Sequence, residues 1–412
     1  MKILIPHLYN VPGGVEMLTL SLVRELSTLA EQVVLVVPRR SVGYFKAKLP
    51  DSGKIAFETY GWRDKDAAAD LVYSIFLKAH RFLLLFLKGR IEGRIRFWKF
   101  NRFLRKLAGK YGVTHCLYMI ASGQKPPTIG IPLFLVVPDL YWHHEEHRYS
   151  RKHIRERDEN LIEWGVCSQR LFPISREAGN DIFRYIPAIP ADKVCPIQIA
   201  SEVFAKASRG NAEEKSVKKA VYYPAGFRRQ KNHLLVFKAA YALAEKGYDL
   251  EVVLSGHGVG MLVSDDPVKY SPAEECRRFY QGHKDRLSGV LRVMGYLDIE
   301  EVEELYSRCS FVILPSTFEG YGLPLAEAVS RGKHVICSDI PVFREQVELY
   351  GIGDMVHFFP VNDLEAFTAL IEKFLNDPPP APDMDEIRRK FSKWTWKQVA
   401  RKYIEAMLNP RC

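Results

Sequence analysis

Short apolar runs of strand length alternate with helical segments along the whole chain, and the alternation restarts after a polar stretch near the middle. In the first half, the predicted strands are Lys2–Pro6, Gln32–Pro38, Val113–Met119, Pro132–Val137, Gln169–Ile174 and Val194–Ile199. In the second half, they begin at Ala220, Leu250, Leu291, Phe311 and His334. Strands that alternate with helical crossovers form parallel sheets covered on both faces. The pattern therefore predicts an α/β protein with two doubly wound parallel sheets.

The length of the chain fits two domains. Its 412 residues are enough for two units of about 150–200 residues, each with its own core. The stretch Ser208–Val217 is polar and lacks apolar periodicity, so we expect the linker there. The predicted domains are residues 1–207 and 208–394. Ligands of such sheets bind outside the carboxyl ends of the strands, so two facing sheets would form a binding cleft.

The motif FEGYGLPLAEA, residues 318–328, places Glu319 and Glu327 on either side of a Gly-Tyr-Gly turn. It follows the apolar run FVILPST and opens a predicted helix with Pro324 in its first turn, where a missing N–H costs nothing. The N-terminus of such a helix attracts phosphate, and a carboxylate just inside it can accept hydrogen bonds from a sugar diol. The whole unit predicts a nucleotide-sugar site, whereas two glutamates eight apart are, on their own, more typical of solvated helix charges.

Glu-x7-Glu within an EGYGLPxxEA context resembles the signature of retaining glycosyltransferases of the GT-B fold, family 4. The resemblance implies two Rossmann-like domains facing across a cleft, with the final helix, about residues 395–412, crossing back to the first domain. It implies metal-independent transfer from a nucleoside-diphosphate sugar, with retention by front-face attack and no cofactor. Glu327 would hold the ribose and Glu319 the transferred sugar. Backbone amides would meet the sugar and the diphosphate at Gly320, Tyr321, Gly322 and Leu323.

Cations for the leaving diphosphate are expected in AGFRRQKNH, residues 225–233, because fixed positive charge eases cleavage of the bond to a diphosphate. Lys231 stands where the family keeps its diphosphate lysine. The family's arginine, five residues earlier, is replaced by Gly226. Arg228 matches a variant spacing, and Arg229 competes with it. Without the resemblance, RRQK is more typical of a surface cluster at a helix entry.

Two further loops are candidates for donor contacts. Gly13 and Gly14 precede the first predicted helix, where they would let a phosphate approach closely or simply form a tight turn. In the family, a Gly-Gly at this place touches donor phosphate. Tyr296, after Gly295, stands where the family's chain passes the nucleobase, with a strand-end aromatic as the alternative. His257 in SGHG is a candidate for a donor contact on the same footing as Tyr296.

The segment FLVVPDLYWHHEEH, residues 134–147, departs from the family. Many members end this strand with a histidine followed by an acid, whereas this chain has Pro138 followed by Asp139. Asp139 would keep its place near the anomeric carbon, and His143 or His144 could fold back toward the sugar. HHEEH also resembles a metal cluster, but it lacks the HExxH frame, so we favour a surface loop and predict no metal site.

Positive charge is concentrated in residues 78–110, which carry eleven Lys and Arg against one acid, Glu92, and so account for the chain's net charge of +10. Phe97, Phe100, Leu104 and Leu107 recur on one face of a predicted helix. Such a helix suits an anionic membrane surface, where each basic residue contributes about 1 kcal/mol. A solvated helix packed on the sheet is the alternative, and no nucleic-acid motif accompanies the charge. The membrane-surface candidates are Arg94, Arg96, Trp98, Lys99, Arg102, Phe103, Arg105 and Lys106.

These features predict a cytoplasmic enzyme, peripheral on the inner membrane face. It would extend a saccharide acceptor, lipid-linked, in cell-surface polysaccharide or glycolipid synthesis. No run reaches the ~18–20 apolar residues of a membrane span, and seven cysteines without a CxxC pair argue against a disulfide framework. Two alternatives stay open. One is a catalytically silent, membrane-associated partner in a glycan assembly complex, supported by Pro138, and the other is a hydrolase or epimerase that uses the same carboxylates.

Overall fold

The computed structural model describes residues 1–8, 14–61, 84–121, 124–145, 148–201, 219–265 and 271–409. The chain divides into two compact units, residues 1–199 with 396–412 and residues 200–395. Each unit contains one six-stranded sheet in which every pair of neighbouring strands is parallel. The predicted α/β class with two parallel sheets is confirmed.

The sheet of the first unit has the strand order β3-β2-β1-β4-β5-β6. Its strands are β1 (Lys2–Pro6), β2 (Gln32–Pro38), β3 (Ile55–Tyr60), β4 (His115–Tyr118), β5 (Leu133–Val137) and β6 (Arg170–Pro173). The crossovers contain the helices α1 (Gly14–Leu29), α2 (Val42–Lys48), α3 (Leu84–Tyr111), α4 (Tyr141–His144), α5 (Arg151–Cys167) and α6 (Arg176–Tyr185). The central strands are continuous apolar runs because both of their faces are buried, as in β5 with the sequence LFLVV.

The sheet of the second unit has the corresponding order β12-β11-β10-β7-β8-β9. Its strands are β7 (Lys219–Pro224), β8 (Leu250–Ser255), β9 (Leu291–Gly295), β10 (Phe311–Leu314), β11 (Val335–Ser338) and β12 (Val356–Phe359). Its helices are α7 (His233–Glu245), α8 (Ser271–Gly282), α9 (Lys284–Leu287), α10 (Ile299–Arg308), α11 (Leu323–Ser330), α12 (Pro341–Tyr350), α13 (Leu364–Asn376) and α14 (Met384–Ser392). α10 begins at Ile299 because Asp298 and Glu301 form a reciprocal capping box there.

The last helix, α15 (Trp396–Leu408), belongs to the first unit and packs against α1. Its Tyr403 is buried, with its ring 5.0 Å from that of Phe172 on β6. The predicted return of the C-terminal helix to the first domain therefore occurs through an aromatic contact with the sheet.

Three sequence predictions about strands were wrong. The prediction omitted the outer strands β3 and β12, at one edge of each sheet. The predicted strand Val194–Ile199 forms only one bridge, between Val194 and Leu171, although the segment runs beside β6 through backbone hydrogen bonds. The amides of Cys195, Ile197 and Ile199 donate to this neighbouring segment, so Pro196 removes none of these hydrogen bonds.

Candidate functional site

The carboxylate of Glu319 lies at the centre of the candidate site, on the loop between β10 and α11. Its Oε1 receives a short hydrogen bond from Lys231 Nζ and a second, of 2.7 Å, from Ser316 Oγ. Only 18% of the lysine side chain and 11% of the glutamate side chain are exposed. The charge pair is thus largely shielded from water, and its two partners are 88 residues apart in sequence.

Two loops meet around this pair because β7 and β10 are neighbours in the sheet. The amide of Thr317 donates to the carbonyl of Gln230 at 2.8 Å, and the Tyr223 hydroxyl donates to the carbonyl of Lys231. Carboxyl ends of parallel strands lie at the same sheet edge, which is where such folds bind ligands. The structure therefore brings the lysine of the second predicted site to the glutamate of the first.

His233 begins α7 and fixes the start of the lysine loop. Its Nε2 lies 3.2 Å from the carbonyl oxygen of Ala225, so this nitrogen carries the proton and donates. Burial lowers the pKa of His233 to about 3. The side chain is therefore neutral at physiological pH, and it adds no charge beside the nearby lysine.

Close contact between backbones explains a departure from the family pattern. Gly256 has a φ of +138°, and a Cβ there would lie 2.4 Å from the amide nitrogen of Gly226. At Gly226 itself, where the resembling family keeps arginine, a Cβ would lie 3.2 Å from both the nitrogen and the carbonyl oxygen of His257. The amide of Phe227 also donates to that carbonyl at 2.8 Å. The loops after β7 and β8 thus pack so closely that a side chain at position 226 would need the backbone of His257 to shift by a few tenths of an ångström.

The two predicted arginine candidates both lie at the surface. Arg228 is exposed in an extended conformation, and Arg229 is exposed at the start of a single 3-10 turn that ends at Lys231. Neither side chain joins the lysine–glutamate pair. Which of them meets a diphosphate stays a prediction.

Glu327 lies in α11, one helical turn beyond the loop, and is half-buried. Burial raises the pKa of Tyr222 to about 12, and the negative charge of Glu327 adds to that rise. Burial and then Glu327 likewise raise the pKa of Tyr306 well above its ordinary value. Arg331 closes the helix from its other end, with Nη1 2.7 Å from the carbonyl of Glu327 and its guanidinium 4.5 Å from the centre of the Tyr306 ring.

The Gly-Tyr-Gly turn presents its backbone rather than its tyrosine ring. Tyr321 is buried, and this burial raises the pKa of its hydroxyl well above the ordinary value. Gly322 has a φ of +83° and immediately precedes α11, whose first residue is Leu323. The family resemblance assigns peptide groups of residues 320–323 to the donor, and that assignment stays a prediction.

Tyr296 and His257 lie at the carboxyl ends of the strands on the other edge of the sheet. Tyr296 is 70% exposed and His257 is also exposed. The amide of Gly256 donates to the carbonyl of Gly295 at 2.6 Å, which holds the two strand ends together. Both candidates are therefore accessible, and the assignment of the nucleobase to them stays a prediction.

In the first unit, His143 and His144 pair with acids of that same unit. His143 Nε2 lies 2.8 Å from Asp158 Oδ1, and its ring stacks on Tyr185 at 4.2 Å. His144 Nε2 lies 2.6 Å from Oδ2 of the buried Asp181. These contacts hold both rings against α5 and α6, and whether either ring meets the sugar stays a prediction.

Asp139 and Gly14 lie at the starts of two helices of the first unit. Asp139 Oδ1 accepts the amide of Tyr141 at 3.1 Å, so this carboxylate helps to start the short helix α4. Gly14 is the first residue of α1, while Gly13 lies outside the described residues. Across the described ranges, no three His, Cys, Asp or Glu side chains are grouped so as to hold a metal ion. Residues 146 and 147 of HHEEH lie outside the described ranges.

The apolar face of the basic helix α3 is used inside the first unit. Phe100, Leu104 and Leu107 are buried in its core, and Phe103 packs with its ring 5.0 Å from that of Tyr60. This arrangement matches the alternative of a basic helix packed on the sheet. The opposite face is exposed and consists of Arg94, Arg96, Trp98, Arg102, Arg105 and Lys106, with Lys99 half-buried beside it. Within the part of the chain that the structure describes, no helix is both long and apolar enough to cross a membrane.

Ser316 and Gln346 are site residues that sequence reasoning missed. Ser316 is buried at the end of β10, and Gln346 Nε2 lies 2.5 Å from the carbonyl of Tyr321. The only sequence signal for Ser316 was its position directly after a buried strand. Gln346 lies in a helix 25 residues beyond its partner, where no local pattern distinguishes it from other polar residues.

Two parallel six-stranded sheets with this strand order and these crossovers define the GT-B architecture of glycosyltransferases. A solved structure with the same arrangement is Alr3699/HepE of Anabaena in complex with UDP and glucose, which matches with a TM-score of 0.69. That match covers 99% of both chains at 13% sequence identity, so it concerns the fold.

Residues 205–393 match the family model of glycosyl transferases group 1, and this part of the chain is a glycosyltransferase domain of that group. O-antigen chain mannosyltransferase B of Escherichia coli is 36% identical over 89 residues, which are 22% of this chain and 22% of that protein. Alpha-maltose-1-phosphate synthase of Mycolicibacterium smegmatis is 26% identical over 254 residues, 58% of this chain and 62% of that protein. The chain thus matches less than two thirds of the length of either relative.

Proposed function

We propose that the protein is a retaining, metal-independent glycosyltransferase. It would move a hexosyl group from a nucleoside-diphosphate sugar to a saccharide acceptor in polysaccharide or glycolipid synthesis. The observation that carries the proposal is the shielded Lys231–Glu319 pair, held by Ser316 at the carboxyl edge of a parallel sheet. Glu319 lies on the loop that opens α11, and both residues are within the matched glycosyltransferase domain.

Lys231 and Glu319 have complementary roles in the proposal, one toward the diphosphate and the other toward the sugar. Lys231 Nζ is a compact cation that meets the negative charge developing on the leaving diphosphate. Glu319 Oε1 is occupied by the lysine and by Ser316, whereas no described residue donates to Oε2. Oε2 is therefore available to a hydroxyl of the transferred sugar, while Oε1 keeps the carboxylate in place.

The start of α11 contributes the remaining donor contacts. Its unpaired N–H groups and dipole favour the diphosphate, and Glu327 inside the helix accepts hydrogen bonds from the two ribose hydroxyls. Arg331 holds the carbonyl of Glu327 and pairs with Glu303 at 3.1 Å, which keeps the helix from shifting when the ribose binds.

The chemical step uses the leaving group as the base. The acceptor oxygen bonds to the anomeric carbon, and the bond from that carbon to the β-phosphate oxygen breaks on the same face. The diphosphate leaves with the electron pair, and one of its oxygens receives the acceptor's proton. Lys231 stabilises this departure because the positive charge is fixed before the bond breaks.

The proposal for the acceptor is supported by the basic surface of α3 and by one of the relatives. An O-antigen mannosyltransferase among the relatives supports a growing saccharide as acceptor, which we propose to be lipid-linked.

The exposed face of α3 supports peripheral binding to an anionic inner membrane surface, with the guanidinium of Arg102 5.5 Å from the Trp98 ring. Replacing Arg102, Arg105 and Lys106 with glutamate should abolish sedimentation with phosphatidylglycerol vesicles and leave nucleotide binding unchanged. Retained sedimentation would contradict the membrane proposal.

The function is tested by a binding and hydrolysis panel of UDP-glucose, UDP-galactose, UDP-N-acetylglucosamine and GDP-mannose, each with and without EDTA. We expect one donor to bind and to be hydrolysed slowly, with no effect of the chelator. Glu327→Gln should weaken that binding at least about tenfold, because a charged acceptor of the ribose hydroxyls is lost. Glu365→Gln, an exposed glutamate in the first turn of α13, is the matched control.

The panel also separates the alternatives. No binding of any donor would refute the site assignment. Binding without turnover, even with lipid-linked acceptors added, would favour the catalytically silent partner that Pro138 suggests. Hydrolysis that exceeds transfer at saturating acceptor would favour a hydrolase.

A further inference from the structure

The side chain of Gln346 reaches from α12 to the turn that precedes α11. It is fully buried, and its Nε2 lies 2.5 Å from the carbonyl of Tyr321 and 3.2 Å from that of Gly322. Two carbonyl oxygens at this distance require a donor, so the amide nitrogen and not the amide oxygen faces the turn. Its own Oε1 is buried without a hydrogen-bond partner. The unpaired oxygen lowers stability, whereas the amide nitrogen holds two consecutive peptide groups.

The bound carbonyls fix the direction of two N–H groups. In a trans peptide, the C=O and the N–H point in opposite directions. The carbonyls of Tyr321 and Gly322 share their peptide planes with the amides of Gly322 and Leu323, so those amides point away from Gln346. Neither amide donates a hydrogen bond to another described residue. They are donors left open at the start of a helix.

A second residue of α12 fixes the same turn by shape. A Cβ on Gly322 would lie 2.5 Å from Cε1 of Phe343, so the turn packs directly onto this ring. The positive φ of Gly322 allows the chain to make that contact and still enter α11. Phe343 therefore sets the position of the turn, and Gln346 sets the rotation of its peptide planes.

We propose that Gln346 is a positioning residue that directs the amides of Gly322 and Leu323 at the diphosphate of the donor. The inference rests on the proposed function, because it needs a diphosphate at the start of α11. Gln346 itself would touch no substrate. Its loss would free the Tyr321–Gly322 peptide plane to rotate, whereas the carbonyl of Gly322 still accepts the amide of Leu325 at 3.1 Å. The two amides would then no longer meet the phosphate oxygens together.

The test compares nucleoside diphosphates with nucleosides. UDP, GDP, uridine and guanosine are titrated into the full chain, wild type and Gln346→Met, a variant of similar shape that has no donor. We expect Gln346→Met to weaken binding of the preferred diphosphate about tenfold or more and to leave the nucleoside affinity unchanged. The nucleoside is unaffected because its ribose and base contacts lie outside this turn.

Two further variants keep the test decisive. Val347→Ala, on the same helix but not at the turn, shows the effect of merely weakening α12. Gln346→His keeps one ring N–H as a donor and should recover part of the preference for the diphosphate. Gln346→Leu, which also has no donor, replaces Gln346→Met if that variant does not fold. Equal loss of diphosphate and nucleoside affinity, or no loss of either, would overturn the role of Gln346. Failure of wild type to bind any of the four probes would instead contradict the proposed function.

Discussion

Replacing His233 with glutamine should remove an acid sensitivity that the fold gives to the second unit. The histidine is buried with Nε2 donating to the carbonyl of Ala225, and burial lowers its pKa from 6.5 to about 3. The folded state therefore stays unprotonated at this residue in mildly acidic solution, whereas the unfolded chain takes up a proton. Glutamine places an amide N–H near the position of Nε2 but cannot titrate.

The size of the effect follows from the two pKa values. Because the pKa is lower in the folded state, this contribution to stability is complete above about pH 6.5 and is lost as the pH falls toward 3. At pH 5 the loss relative to pH 8 is about 2 kcal/mol for wild type and zero for the glutamine variant. Other titrating groups contribute equally to both proteins, so they cancel in the difference.

Urea unfolding of wild type and His233→Gln at pH 8 and pH 5 measures this difference. Hydrogen exchange of peptides from β7 and α7 reads the second unit separately from the first. His233→Asn is the control, because its shorter amide loses the bond to Ala225 and should be less stable at both pH values without the pH term. For each protein, the free energy of unfolding at pH 5 is subtracted from that at pH 8. If the two differences agree within about 0.5 kcal/mol, His233 is not held neutral in the folded state.

Three other substitutions test the geometry of the site. Gly256→Ala should destabilise the second unit by about 3 kcal/mol, since its Cβ meets backbone that cannot move, whereas Gly260→Ala has open space and should be neutral in thermal unfolding. Arg331→Met should lower the free energy of unfolding by about 1–3 kcal/mol, because Glu303 loses its ion-pair partner and the carbonyl of Glu327 loses its hydrogen bond. An unchanged melting temperature would contradict that role. Ser316→Ala should slow sugar transfer about tenfold at unchanged affinity for the nucleoside diphosphate, and a slower rate that comes from weaker diphosphate binding would count against it.

Local pattern identified most of the strands and the loop that carries the paired glutamates. The central strands are short, continuous apolar runs, and such runs can only be buried on both faces. The outer strands β3 and β12 were missed because a sheet edge is partly solvated, and their sequences contain Glu58 and His357. Segment 194–199 has the composition of a strand, yet it pairs with β6 through a single bridge.

The basic helix shows where periodicity stops being informative. The spacing of Phe100, Leu104 and Leu107 correctly indicated one apolar face. Spacing cannot say whether such a face meets lipid or the protein's own core, because both environments are apolar. The tertiary structure decided this, since the sheet of the first unit covers these three side chains.

By itself, the sequence determined that two parallel sheets form and that Glu319 and Glu327 flank a helix start. Those features depend on residues that are neighbours in the chain. Only the tertiary structure decided which distant groups meet there, because Lys231 and Gln346 reach the turn from segments 88 and 25 residues away from their partners in sequence. Their convergence depends on strand order, which places β7 beside β10. Strand order is set by the packing of the whole sheet and leaves no trace in local periodicity.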